Sequence, residues 1–119
     1  MGVFYEVFNE LGGGFLESVY YAAMALGLAQ AGVSFKAERR LSVFFRGQAV
    51  GVFKADFVIE GVVVAEVKAA RSIQSGHEAQ LLNYLRATTL EVGLILNFGP
   101  TPTFKRLVLS PDHGVRASR

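Results

Sequence analysis

The segment from Val62 to Lys68 restricts the fold of this chain more than any other. It begins with a continuous apolar run and ends with two charged side chains, Glu66 and Lys68. A continuous apolar strand is typical of the centre of a sheet that is covered on both faces. The chain must therefore supply packing layers on both sides of this strand, which predicts an α/β fold.

The periodicity of the remaining segments supplies those layers. Apolar residues at helical spacing predict a helix over 3–11. After three consecutive glycines, a segment that is apolar nearly all round predicts a second, buried helix over 15–31. A capping box formed by Ser75 and Glu78 predicts a third helix that continues to about residue 88. The predicted strands are 33–45, 49–59, 62–69, 92–98 and an edge strand over 104–109. The order α-α-β-β-β-α-β-β predicts a mixed central β-sheet flanked by helices.

Composition limits the chemistry that such a domain can perform. The 119 residues contain no cysteine and two histidines, so thiolate and histidine-rich metal sites are excluded and oxygen ligands remain. The absence of cysteine is compatible with the cytoplasm, where we expect the protein. No apolar run approaches the ~18 residues that span a bilayer, so no membrane partner is expected. We expect one domain over 1–109 and a flexible tail over 110–119.

Charge and hydropathy bear on the partners. The net charge is +2, which permits a polyanionic partner without requiring one. Hydrophobic residues make up 51% of the chain, which leaves room for a self-association face and a homodimer.

Three charged residues lie where strands normally exclude charge. Asp56 is in the middle of an apolar strand, and Glu66 and Lys68 end the most apolar one. Two carboxylates close together form an oxygen-rich site for a divalent metal, and a neighbouring lysine can orient the attacking water. A purely structural ion pair is the alternative interpretation.

The connection between the second and third strands decides whether this site can form. An unbulged two-residue turn at Glu60-Gly61 would place Asp56 and Glu66 on opposite sides of the sheet. A three-residue loop, with Gly61 at positive φ, pairs residue 59 with 63 and 56 with 66. We therefore predict an odd-residue loop or a bulge, with both carboxylates on one face and Lys68 beside them.

Five motifs occur in a fixed order along the chain. They are Gly14-x-x-Glu17-x-x-Tyr20, Ala55-Asp56-Phe57, Glu66-Val67-Lys68, the stretch 77–85 with its Gln80 and Tyr84, and Gly93 to Gly99. Together they resemble the GxxExxY protein family of the PD-(D/E)XK nuclease superfamily, over about residues 3–109. Gly13 departs from the family pattern, which has proline before the motif glycine.

The resemblance implies a PD-(D/E)XK, restriction-endonuclease-like core and a role for each motif residue. Asp56 and Glu66 would bind Mg²⁺ or Mn²⁺, Glu17 would complete the metal shell, and Lys68 would assist the water. Gln80 and Tyr84 match a helix motif associated with DNA contact near the metal. His77 on the same helix face and Tyr20 of the first motif are further expected substrate contacts.

Structural alternatives exist for these residues. Glu17 can complement a helix dipole, and Gln80 and Tyr84 can be ordinary buried hydrogen-bonding groups. His77 lies at a helix N-terminus, where a neutral ring is favoured over a charged one. Five basic side chains are either phosphate contacts or ordinary surface charges: Arg39, Arg40, Arg71, Lys105 and Arg106.

The leading functional hypothesis is metal-dependent hydrolysis of phosphodiester bonds, with DNA ahead of RNA as the substrate. A non-catalytic nucleic-acid-binding module and a structural or regulatory protein are the alternatives. Acids beside a phosphate-binding surface favour the enzyme, because they repel phosphate unless a cation lies between them.

Overall fold

A computed structural model describes residues 1–109. The predicted flexible tail, 110–119, lies outside the described residues. The element order is the predicted one. The helices are α1 (Gly2–Leu11), α2 (Glu17–Gln30) and α3 (Ser75–Ala87), and the strands are β1 (Phe35–Phe45), β2 (Gln48–Ile59), β3 (Val63–Lys68), β4 (Val92–Phe98) and β5 (Pro102–Val108).

The five strands form one mixed sheet in the order β1-β2-β3-β4-β5. Only β3 and β4 are parallel, and α3 forms the crossover between them. A parallel pair needs such a crossover, whereas the antiparallel pairs are joined by short loops. The most apolar strand, β3, is therefore at the centre of the sheet, as its sequence predicts.

Two apolar clusters cover the two faces of the sheet. On one face α1 and α2 pack through Phe4, Tyr20 and Met24 against β-strand residues that include Phe57 and Phe98. On the other face α3 packs through Leu81, Tyr84 and Leu85 against residues that include Val64 and Ile95. The fold is thus a three-layer α/β/α arrangement, and the expected mixed sheet flanked by helices is confirmed.

Helix α2 is less buried than its apolar sequence predicts. Tyr20, Met24 and Leu28 are buried, but Leu26 and Val19 on other sides of the helix are exposed. The prediction of burial nearly all round was wrong, because within residues 1–109 α2 packs on one side only, against α1 and the sheet.

The β1–β2 hairpin extends well beyond the rest of the sheet. β1 pairs with β2 from Phe35↔Ile59 to Phe45↔Gln48, whereas β2 pairs with β3 only between Phe57↔Ala65 and Ile59↔Val63. Residues 42–52 therefore form a two-stranded segment whose side chains are all exposed. We call this segment the arm.

Candidate active site

The β2–β3 loop has the length that the site requires. Ile59 pairs with Val63, so three residues, Glu60-Gly61-Val62, form the connection. Gly61 has φ 68°, and Glu60 also adopts positive φ, at 55°. The predicted odd-residue loop is confirmed, and it directs Asp56 and Glu66 toward each other.

The two carboxyl groups meet in a gap between β2 and β3. Backbone pairing of these strands stops at Phe57↔Ala65, one step before Asp56 and Glu66. There the Asp56 N–H donates to Glu66 Oε2 at 3.0 Å, and the Val67 N–H donates to Asp56 Oδ2 at 2.8 Å. Each carboxylate is therefore held by the backbone of the opposite strand, and the side chains replace the missing ladder bonds.

The expected common face for the two acids is not what the structure shows. Val64 packs in the α3-side cluster, so strand alternation directs Glu66 toward α3. Asp56 instead lines a pocket on the α2 side. The two groups approach each other across the gap and not along one surface of the sheet.

A local break in β2 explains this arrangement. Ala55 belongs to the α3-side cluster and Phe57 to the α2-side cluster, although residues two apart in a regular strand share a face. Opposite this point, Glu38 has φ 53°, and the Glu38–Asp56 pair is missing from the β1–β2 register. At this pair the regular alternation of side chains between the two faces is interrupted in both strands, and Asp56 is thereby rotated toward the α2-side pocket. We call this interruption the turnover.

Glu66 has an unusual protonation equilibrium. Its side chain is 9% exposed, and burial together with the neighbouring Asp56 charge raises its pKa from 4.5 to about 8. Lys68 acts in the opposite direction but more weakly. A nearby cation would offset both causes of the increase, so the pair has the electrostatics of a cation site.

Lys68 is half-buried at the end of β3, where it pairs with Asn97 of the parallel strand β4. Asn97 is fully buried and forms two 2.9 Å hydrogen bonds with the backbone of Ala70, one as acceptor and one as donor. Its amide also donates to Thr103 Oγ1 at 3.3 Å. Asn97 thereby fixes the chain just after Lys68.

A pocket of about 200 Å³ opens beside Asp56. Its walls include Glu17 from the first turn of α2 and Lys54, two residues before Asp56. Tyr21 and Glu38 also line it, and the Tyr21 hydroxyl donates to Glu38 Oε2 at 3.4 Å. Burial, then the charges of Glu38 and Asp56, raise the pKa of Tyr21. The structure thus brings Glu17 to the same pocket as Asp56, as an exposed side chain.

The acidic groups form a pair and not a complete metal cage. Among residues 1–109, no three acidic or histidine side chains are grouped closely enough to hold a metal ion together. Mg²⁺ keeps several waters and often uses only one or two carboxylates, so the Asp56–Glu66 pair fits such an ion. Each carboxyl group has one oxygen engaged by a backbone N–H, which leaves the other oxygen for a metal.

Helix α3 begins differently from the prediction. Gln74 is the N-cap, and the Nδ1 atom of His77 accepts a hydrogen bond from the Gln74 N–H at 3.1 Å. The capping box assigned to Ser75 and Glu78 was wrong. The N-cap is Gln74, one residue earlier than predicted, and Ser75 is the first residue of the helix. His77 accepts through Nδ1, which requires an unprotonated nitrogen there, as a neutral ring provides.

The other two α3 candidates differ in their surroundings. Gln80 is exposed. Tyr84 is 5% exposed and packs on Phe53 with ring centroids 5.1 Å apart. Burial raises the pKa of Tyr84, Arg39 lowers it, and Glu66 raises it, so the Tyr84 hydroxyl is close enough to Glu66 to feel its charge.

Tyr20 has a structural role that the sequence did not indicate. It is fully buried and stacks on Phe98 with centroids 4.3 Å apart. Its hydroxyl donates to the Gly12 carbonyl and accepts from the Phe15 N–H, which closes the glycine loop before α2. Because these bonds occupy the hydroxyl in a buried position, the structure does not support Tyr20 as a substrate contact.

Sequence reasoning missed Lys54, Tyr21 and Glu38 as pocket residues. Lys54 had a signal, because it is a second charge in the apolar strand that carries Asp56. Tyr21 and Glu38 had none, since their position depends on the turnover of β1 and β2. Asn97 had a signal as a polar residue within a buried strand.

Fold and site together define the class: a nuclease-like α/β core with two acids and a lysine at the separated edge of its central strands. The family model described as PD-(D/E)XK nuclease superfamily matches residues 1–107, so the chain belongs to that superfamily. The crystal structure of SSO0001 has a similar fold, with a TM-score of 0.60 and 20% sequence identity. The match covers 86% of this chain and 55% of that one. No curated protein matches the chain significantly.

Within residues 1–109, every helix falls short of the length and apolar character that crossing a membrane requires.

Proposed function

We propose that the protein is a divalent-metal-dependent nuclease that hydrolyses phosphodiester bonds, preferably in DNA, with Mg²⁺ or Mn²⁺ as its cofactor. The observation that carries the proposal is the Asp56–Glu66 pair, held in place by the backbones of two separated strands. Membership of the nuclease superfamily supports a nucleic-acid substrate. The narrower GxxExxY assignment rests on the motif residues.

Burial of the two acids is the physical argument for a metal. Two like charges that meet in a partly buried gap are costly unless a cation lies between them, and the high pKa of Glu66 reflects that cost. A bound divalent ion would activate water and offset the charge that develops on the scissile phosphate. Asp56 and Glu66 would bind the ion, and Glu17 lines the pocket beside Asp56.

Lys68 and α3 contribute the remaining groups. Lys68 places a positive charge next to Glu66, where it can orient the attacking water. Its attachment point is rigid, because Asn97 holds the following backbone. Gln80 and Tyr84 would contact the substrate from α3, with His77 at the start of that helix.

The test is a cleavage assay on labelled single-stranded, double-stranded and branched DNA and on RNA. We expect Mg²⁺ or Mn²⁺ to support cutting and a chelator to abolish it. Glu66→Gln and Lys68→Met should each lower the rate at least about 100-fold, because each removes a group that acts on the reacting atoms. Glu91→Gln, which changes an exposed acidic side chain elsewhere, serves as the matched control. Unchanged cleavage by Lys68→Met would identify a contaminating nuclease and overturn the proposal.

A non-catalytic nucleic-acid-binding module is the second candidate. One observation favours it: within residues 1–109 the third acid, Glu17, is exposed and does not join the Asp56–Glu66 pair in a metal-holding group. Binding of labelled DNA that is the same with Ca²⁺ and with chelator, together with no cleavage in any metal, would select this candidate.

A further inference from the structure

Arg40 and Lys54 face each other across the β1–β2 hairpin. They are direct partners in the antiparallel register, and both are exposed. Side chains at such positions start about 5 Å apart at their Cβ atoms and project from the same face of the sheet. The hairpin therefore presents two positive charges side by side.

Within residues 1–109 this pair has no bonded partner, although the carboxyl groups of Glu17, Glu38 and Asp56 line the same pocket as Lys54. Among residues 1–109, neither side chain forms a hydrogen bond or an ion pair. Directly opposed like charges destabilise a sheet. A pair that lowers the stability of the free protein is expected where an anionic ligand is to be bound.

The pair adjoins the acid site. Lys54 lines the same pocket as Asp56 and Glu17. Leu41 and Phe53 pack on the α3 side, so alternation directs Arg40 and Lys54 to the α2 side, where that pocket opens. The two cations thus continue the surface that begins at Asp56.

The hairpin concentrates the positive charge of the molecule. Residues 35–55 contain five basic residues and one acidic residue, against seven basic and nine acidic residues in the rest of the chain. A polyanion would therefore be attracted to the hairpin, since the remainder is net negative. The acid pair alone would repel it.

We propose that Arg40 and Lys54 form a phosphate clamp, a pair of cations that binds the phosphodiester backbone of a nucleic-acid strand as it enters the Asp56–Glu66 site. This inference rests on the proposed function for its ligand. The clamp contacts phosphate oxygens only, so it contributes affinity and position without sequence preference. Arg40 and Lys54 bind substrate and take no part in bond cleavage.

The experiment measures DNA binding by fluorescence anisotropy in Ca²⁺, using labelled duplex and single-stranded oligonucleotides over a range of salt concentrations. Arg40→Gln/Lys54→Gln should raise Kd at least about tenfold for all sequences. It should also lower the slope of log Kd against log salt by about 1 per residue. The comparison variant Lys105→Gln/Arg106→Gln removes the same charge from β5 at the other edge of the sheet. A clearly smaller effect there would assign these two side chains to ordinary surface charges and the phosphate contact to the hairpin.

Thermal melting of the free protein separates a clamp from a structural role. Removal of the opposed charges should leave Tm unchanged or raise it, whereas loss of a structural contact would lower it. The clamp is wrong if wild type binds DNA and the Arg40/Lys54 double variant binds with the same Kd and salt slope as the comparison variant. If that variant loses affinity but wild type cleaves nothing in any metal, the phosphate clamp is supported and the proposed nuclease activity is wrong.

Discussion

At Glu66, burial and the neighbouring Asp56 act in the same direction on one carboxyl group. Both raise its pKa, to about 8, while the folded geometry holds the group beside the backbone of Asp56. The acid that we assign to metal binding is therefore also an acid that weakens the free protein when it ionises.

The pH dependence of stability follows from this shift. The folded state binds the Glu66 proton more tightly than the unfolded chain, so the stability contributed by the protonated group is complete below about pH 4.5. It is lost as the pH rises through about 8. Since one pKa unit corresponds to about 1.4 kcal/mol, the loss is on the order of a few kcal/mol.

We therefore expect Tm in chelator to fall between about pH 4.5 and about 8 in wild type and to fall less in Glu66→Gln. Saturating Mn²⁺ at pH 8 should restore Tm in wild type but not in Glu66→Gln, because a bound cation favours the ionised carboxylate. Glu91→Gln should behave as wild type. Equal pH profiles for wild type and Glu66→Gln would show that Glu66 titrates normally.

At the scale of secondary structure, sequence periodicity predicted the element order and β4 to the residue. The prediction succeeds for α1, where Phe4 and Val7 are buried about one turn apart, and for β4, where four consecutive residues from Ile95 to Phe98 are buried on both faces of the sheet. The predicted cap of α3 was wrong, because Gln74 and His77 form the capping box in place of the expected Ser75 and Glu78.

The site was predicted in part, and the limit has a physical cause. The three-residue loop followed from the need to bring Asp56 and Glu66 together, and Gly61 supplied the necessary backbone freedom. The separation of β2 from β3 and the turnover at Glu38–Asp56 could not be predicted. Both depend on contacts among β1, β2 and β3 that form only in the folded sheet, where Glu38, Asp56 and Glu66 come together.

The loop itself can be tested through Gly61. An alanine at positive φ is strained, so Gly61→Ala should lower the free energy of unfolding by about 1 kcal/mol. Gly51→Ala is the matched control, because an added Cβ has open space at both positions and only Gly61 has positive φ. Urea unfolding measures the difference, and equal stabilities would show that residue 61 is not held in this conformation.

On the scale of the whole molecule, the arm formed by residues 42–52 is the part that the fold leaves least supported. A two-stranded hairpin is marginally stable by itself, and this one exposes Phe44 (65%) and Phe45 (59%). Val43, Val50 and Val52 are exposed as well. The arm therefore needs a further surface to cover its apolar side chains.

We expect a second copy of the chain to provide that surface. Within residues 1–109, β1 is an edge strand without a neighbour on its outer side, and two such edges can meet around a two-fold axis so that the same residues cover each other. Neighbouring strand residues such as Phe44 and Phe45 point to opposite faces, so an edge-to-edge pair would cover only part of this apolar surface and bury less than the roughly 1,200 Å² of a stable interface. We accordingly predict a weak, concentration-dependent homodimer.

Sedimentation equilibrium over a wide range of protein concentration measures this association. Phe44→Ser/Phe45→Ser should shift the equilibrium to monomer without lowering Tm at low protein concentration, since both rings are exposed in the single chain. Leu26→Ser changes a side chain of similar exposure, 60%, on α2 and should leave the association unchanged. A wild-type chain that stays monomeric at the highest concentration would contradict the dimer.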